Sequence, residues 1–243
     1  MSNDPYDQMR WTPMAGEGLI FDEQYRAAHL PLVAPGHPRT LVNLNGRDYH
    51  NGWYARARVS IVADLGRPFL AQDTCRHLLQ RLATSSFAEK VAFDLIETRA
   101  PNIHCTLIGD VNPTPAQRNS ANQLLRDAPS LMPVMHGPFI GQFNRGRIYF
   151  PLEFTRCSDR GLLDAVCAVF GRNRQQFTAI GLVNLRDELD PQEAYDLAKI
   201  LADMKGARTQ LPLTTLSWTS TNNDLTLEMS RLETIPLATQ ETA

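Results

Sequence analysis

Two short stretches decide how this chain is read: His104-Cys105-Thr106-Leu107-Ile108-Gly109-Asp110-Val111-Asn112 and Phe177-Thr178-Ala179-Ile180-Gly181-Leu182-Val183-Asn184. With a single gap, Gly109 aligns with Gly181, Val111 with Val183 and Asn112 with Asn184. Each stretch precedes a helix opened by proline, at Pro115 and Pro191. Self-similarity at equivalent places in two half-chains predicts a duplicated α+β unit with a cleft between the halves.

The flanking sequence supports that pattern. Ala55, Ala57, Val59 and Ile61 alternate with Arg56, Arg58 and Ser60, which predicts a half-buried strand. Cys75, Leu78, Leu79 and Leu82 recur at helical spacing, and Val91, Phe93 and Leu95 alternate as in a strand. Gly146 to Phe150 reads as a strand. Ser158 reads as the cap of a helix carrying Leu162, Leu163, Val166, Val169 and Phe170 and ended by Gly171. Asp190, Pro191 and Glu193 form an N-cap, a first-turn proline and a capping-box acid. Leu213–Trp218 and Leu225–Met229 read as a closing hairpin around Asn222-Asn223-Asp224. Pro31, Pro35, Gly36 and Pro38 predict an irregular arm over residues 1–50, with one short helix near Asp22–Ala28. The expected division is this arm, a domain over 51–237 with lobes at about 51–130 and 138–237, and a frayed tail over 238–243.

Composition bounds the function classes. Of 243 residues, 43% are hydrophobic and 21% charged, ordinary values that point away from disorder and disulfide scaffolds. A formal charge of -2 disfavours gripping a long duplex nucleic acid or a membrane surface, and it leaves room for a small phosphate pocket. The N-terminus lacks a basic start and apolar run, so a cytoplasmic location is expected. Cys75, Cys105, Cys157 and Cys167 form no C-x-x-C pair, and no His/Asp/Glu group has ligand spacing, so no metal or cofactor is expected. P-loop, G-x-S-x-G and G-x-G-x-x-G motifs are absent.

Chemistry is carried by His104-x-Thr106. Strand alternation puts both side chains on one face, with Cys105 on the other. An imidazole can move a proton near neutral pH, and a threonine hydroxyl can donate to a phosphoryl oxygen. Arg99, Arg145 and Arg147 are candidates to offset the charge of a phosphate, with Tyr149, Phe177 and Thr178 as further lining residues. Arg172 and Arg174 also lie close before the second stretch. Exposed arginines at element ends are more often solvated than ligand-binding, and Trp218 reads as core rather than as a stacking platform.

At these residues the sequence resembles the 2H phosphoesterases, the LigT-like family, over roughly residues 50–236. The match lies in His104-Cys105-Thr106-Leu107 and in the strand-like segment Gly141-Gln-Phe-Asn-Arg-Gly-Arg-Ile-Tyr-Phe150. The resemblance implies an α+β, pseudo-two-fold bilobal fold, with antiparallel sheets lining a central cleft and helices outside. It also implies metal-independent cleavage of a cyclic nucleotide, oligonucleotide or RNA-end phosphodiester. Its partner would be a nucleotide or RNA-end phosphate ligand.

The second motif departs from the pattern. Phe177 stands where a second histidine belongs and Ala179 where a threonine belongs; Thr219-Ser220-Thr221 is a rival placement, also without histidine. In-line cleavage needs a base for the nucleophile and an acid for the leaving group, and one histidine fills one role per step. His50, His77 and His136 are candidates for the second group, joined by His29 and His37 if the arm covers the cleft. Two rival readings stand beside an enzyme. One is a catalytically impaired relative that binds a nucleotide, an RNA end or a protein partner. The other is an unrelated α+β interaction domain. If His104 and Thr106 point into a packed core, both phosphate readings fail.

Overall fold

The computed structural model describes residues 6–44, 46 and 48–238. The chain opens with helix α1 (Gln24–Val33), then a two-stranded ribbon of β1 (Tyr49–His50) and β2 (Trp53–Tyr54). β3 (Arg58–Asp64), α2 (Asp73–Ala83), α3 (Phe93–Arg99), β4 (His104–Val111) and α4 (Pro115–Arg126) follow. Next come β5 (Val134–His136), β6 (Phe139–Gly141), β7 (Asn144–Glu153), α5 (Cys157–Val169) and β8 (Ala179–Asn184). The described chain closes with α6 (Pro191–Met204), β9 (Arg208–Gln210), β10 (Thr215–Thr221) and β11 (Met229–Pro236).

Two larger antiparallel sheets organise these elements, an α+β architecture. One runs β11-β10-β3-β4 and the other β6-β7-β5-β9, with β8 added to β7. β4 pairs only with β3 and β8 only with β7, so the two repeat strands are the sheet edges that meet. Their inward faces contribute to one apolar core that spans both sheets, including Cys105, Leu107, Ile180 and Leu182. The Asp190 cap read from sequence forms as spaced, and Thr114 forms a second one. The Thr114 hydroxyl and the Asp190 carboxylate each accept the N3 backbone N–H, and Gln117 and Glu193 reach back to complete capping boxes.

Several elements differ from expectation. The hairpin β10–β11 belongs to the sheet of β3 and β4, so the sheets do not divide the chain into lobes at 51–130 and 138–237. Its strands begin at Thr215 and Met229, leaving 222–228 as a loop rather than starting a strand at Leu225. Val91–Leu95 does not form a strand. Phe93–Arg99 is a helix that buries Ile96 and Arg99 at i, i+3 spacing. Arg156, not Ser158, occupies the N-cap of α5.

The described part of the arm is also not peripheral. Leu19, Phe21 and Leu30 join the main core, and α1 runs through Pro31. Proline cannot donate to the Ala27 carbonyl, and the Leu41 N–H takes that place at 3.0 Å. Arg26 then anchors α1. Its fully buried guanidinium donates to Asn184 Oδ1 at 3.3 Å and to the Leu185 carbonyl, and it lies over the Phe21 ring. A Cβ on Gly146 would stand 2.0 Å from Arg26 Nε, so only glycine lets α1 seat here. Of the expected tail, Ala238 bridges Pro129, and 239–243 lie outside the described residues.

Candidate functional site

Alternation along β4 turns Cys105 and Leu107 into the core and leaves His104 and Thr106 part-exposed on the other face. That face opens on a cavity of about 260 Å³, whose far wall is Arg147 and Tyr149 of β7, Ala179 and Gly181 of β8, and Phe177 just before β8. Positions 177, 179 and 181 therefore face positions 104 and 106 across the seam between the sheets. A second cavity of about 400 Å³ shares Tyr25, His104, Thr106 and Asp224 with the first and extends past Arg58, Ser60 and Thr219. A larger, mostly apolar groove of about 430 Å³ between Trp11, Phe139 and α6 holds none of these groups.

His104 is held in one tautomer. Its Nδ1 lies 2.8 Å from the Asn102 carbonyl, which can only accept, so Nδ1 carries the proton and Nε2 is left with a lone pair. Desolvation, reinforced by the Arg99 and Arg147 charges, pushes its pKa down to about 4 against the opposing pull of the Asn102 bond and Asp64. The ring is neutral at pH 7 and suited to accept a proton. The Thr106 hydroxyl makes no hydrogen bond among the described residues.

The floor is built from two buried guanidiniums. Arg99, at the end of α3, donates to the carbonyls of Leu225, Leu182 (3.1 Å) and Gly181 (3.0 Å). Arg147 donates to the carbonyls of Asp224 (3.3 Å) and Gly181 (3.2 Å), and its Nε has no partner among the described residues. A guanidinium carries five N–H groups, so each retains spare donors. Neither forms an ion pair with a carboxylate among the described residues. Desolvation, and then the neighbouring Arg147, lower the pKa of Arg99 well below its ordinary value. Gly181 permits this convergence, because a Cβ there would stand 2.5 Å from the Arg147 guanidinium.

The remaining wall comes from α1 and the 222–228 loop, whose Tyr25 and Asp224 the sequence did not mark as site residues. Asp224 Oδ2 accepts from His29 Nε2 at 3.2 Å and from the Tyr54 hydroxyl at 2.8 Å. Desolvation pushes the Asp224 carboxyl up, but His29, Tyr54 and Arg147 outweigh it and hold the pKa below its ordinary value. Tyr25 lines both cavities, its ring packs edge-on to His29 at 4.3 Å, and its hydroxyl has no hydrogen-bond partner among the described residues. Desolvation and the Asp224 charge raise the Tyr25 pKa well above its ordinary value.

The other expected residues separate into two groups. Arg99, Arg147, Tyr149 and Phe177 line the cavity with His104 and Thr106. Arg145 does not: it pairs with Asp22 and Glu23 ahead of α1, whose carboxylates draw it away. Thr178 is buried on the opposite face of the strand approach, its carbonyl accepting the Leu152 N–H at 2.8 Å. Arg172 donates to the Gly109 and Asp110 carbonyls, and Arg174 pairs with Asp164. Trp218 is core, its indole N–H donating to Asn122. No expected second histidine lines the cavity. His136 is buried against Glu153 and Tyr6, His50 bonds Asn43, His37 bonds Asp187, and His77 is exposed on α2. Phe177 packs instead among the rings of Tyr6, Phe139, Phe143 and Tyr149.

Among the described residues, no group of three or more His, Cys, Asp or Glu side chains could hold a metal ion, and no helix is long and apolar enough to cross a membrane. The cysteines are free, with Cys75, Cys105 and Cys167 buried.

No family model matches the sequence, and no curated protein does. Several solved structures are similar in shape. E. coli LigT, crystallised with phosphate, is 12% identical at a TM-score of 0.44, over 76% of this chain and 99% of that one. TT0787 of Thermus thermophilus is 10% identical at 0.47, over 76% and 100%. ATU0111 of Agrobacterium tumefaciens, a conserved protein of unknown function, is 14% identical at 0.49, over 84% and 97%.

Proposed function

We propose that this cleft binds and cleaves a small phosphodiester, a cyclic nucleotide, an oligonucleotide or an RNA end, without a metal ion. The observation that carries the reading is the pair of buried guanidiniums, Arg99 and Arg147, that share the Gly181 carbonyl in the cavity of His104 and Thr106 and form no ion pair with a carboxylate among the described residues. Two cations in a desolvated pocket repel each other and are costly to bury, and an anion seated above them relieves both terms. The spare guanidinium N–H groups and the Thr106 hydroxyl then hold phosphoryl oxygens. The neutral His104 Nε2 takes the proton of the attacking oxygen.

A second reading has its own support. Phe177 and Ala179 give the β8 side of the cavity no group that titrates, which favours a protein that binds such a ligand without turning it over. Incubation with 2′,3′-cyclic nucleotides, cyclic oligonucleotides and cyclic-phosphate RNA in the presence of EDTA separates the two. Hydrolysis that depends on His104 supports catalysis. Binding without hydrolysis supports the second reading, and neither outcome with any of these ligands rejects both.

A further inference from the structure

Cleavage of an alkyl phosphodiester leaves an alkoxide that needs a proton. Where a duplicated motif would supply a second histidine, this chain supplies Phe177, packed against four aromatic rings. Among the groups lining the cavity, His104 is neutral and its one ring proton is committed to Asn102. Asp224 is ionised and already accepts two hydrogen bonds on Oδ2. Tyr149 accepts the Asn144 side-chain N–H at 3.0 Å and keeps its own proton, but it is buried in the aromatic wall and lines only the first cavity. Tyr25 differs from all of these: it is the tyrosine that faces both cavities, and its hydroxyl makes no hydrogen bond among the described residues.

Its placement is built. Arg26 ties α1 to the end of β8, next in sequence to Tyr25. His29, one helical turn on, packs against the Tyr25 ring while bonded to Asp224. We propose that Tyr25 is the general acid of this site, supplied by α1 in place of the histidine that the strand leading into β8 lacks. This rests on the phosphodiesterase reading above.

The step balances as a hydrolysis. Water gives one proton to His104 Nε2 while its oxygen bonds to phosphorus. The bond from phosphorus to the sugar oxygen breaks, and that oxygen takes the Tyr25 phenolic proton. Proton transfer through solvent from the imidazolium to the phenolate restores both groups, so one water is consumed. Burial and the Asp224 carboxylate keep the phenol protonated through neutral pH. The Arg147 charge, which acts on Tyr25 in the opposite sense, stabilises the phenolate left behind.

Tyr25→Phe removes only a hydroxyl that makes no hydrogen bond among the described residues, and the variant keeps the ring against His29. Turnover is compared on 2′,3′-cyclic AMP, whose leaving group needs a proton, and on a p-nitrophenyl ester of a nucleotide, whose leaving group departs without one. The expected loss is about 100-fold or more on the cyclic nucleotide, the scale of general acid catalysis, and at least tenfold smaller on the aryl ester. Equal losses on both substrates mark a structural role and overturn the assignment, while the phosphodiesterase reading stands. No loss on either overturns it in the same way. A wild-type protein that turns over neither substrate overturns the catalytic reading and the inference together.

Discussion

β4 brings His104 and Thr106 to the cavity, whereas the matching positions at the start of β8 bring Phe177 and Ala179. Both strands are sheet edges paired on one side, and both turn small or aliphatic residues into a shared core. The backbone frame is thus repeated while its polar equipment is not. On the β4 side a pinned imidazole and a free hydroxyl face the cavity. On the β8 side an aromatic cluster closes one wall, and the carbonyl of Gly181 gathers two guanidiniums. The polar groups missing from β8 arrive from α1 and the 222–228 loop as Tyr25 and Asp224. A repeat fixes where side chains can meet; what they do there is set separately in each half.

If β4 holds the reactive half, His104→Ala has the largest effect. Turnover of 2′,3′-cyclic AMP should fall by about 100-fold to 10,000-fold, read from initial rates, and persistence of turnover would remove His104 from the mechanism. Next is the effect of pH on stability. His104 has its pKa lowered to about 4 in the folded protein, against about 6.5 unfolded. The unfolded chain therefore binds more protons between those values. Stability rises with pH across that window, and as pH falls from 6.5 to 4 it loses about 2–3 kcal/mol from this group. Urea melts of the wild type and His104→Gln should converge over that interval, and parallel curves would place His104 in an ordinary solvated setting.

Gly181→Ala attacks the β8 side. A Cβ there meets the Arg147 guanidinium, so inorganic phosphate should bind about 10-fold to 100-fold more weakly by calorimetry, the value of a charge-assisted hydrogen bond. Undiminished phosphate affinity would separate the arginine floor from anion binding. Thr106→Val is the smallest change. It should weaken phosphate binding by about 2-fold to 10-fold and leave the melting temperature in place, since the hydroxyl makes no hydrogen bond among the described residues.

The sequence made the β4 half of the site legible, together with Arg99, Arg147, Tyr149 and Phe177, and hid Tyr25 and Asp224. Period-two alternation placed His104 and Thr106 opposite Cys105, and the aligned repeat located Phe177 and Ala179. Arg147 and Arg145 looked equivalent from sequence alone. They separate because Asp22 and Glu23, ahead of α1, capture Arg145, while Gly181 makes room for Arg147. Tyr25 lies in the short helix expected within the irregular arm, His29 just past it, and Asp224 in a turn. Their convergence depends on α1 crossing Gly146 with Arg26 threaded over it, a contact with no local sequence signature. Pro31 concealed only how far α1 runs, on to Val33, because the N–H that replaces its missing hydrogen bond comes from Leu41, far along the chain.

The central claim is that His104 is a neutral imidazole held above an anion site. A ¹⁵N NMR titration of the histidine rings, with and without inorganic phosphate, tests it without knowledge of the substrate. His104 is expected to carry its proton on Nδ1 and to titrate near pH 4 in the free protein. Added phosphate should move that midpoint upward as it offsets the Arg99 and Arg147 charges. A midpoint near 6.5 that ignores phosphate would contradict it.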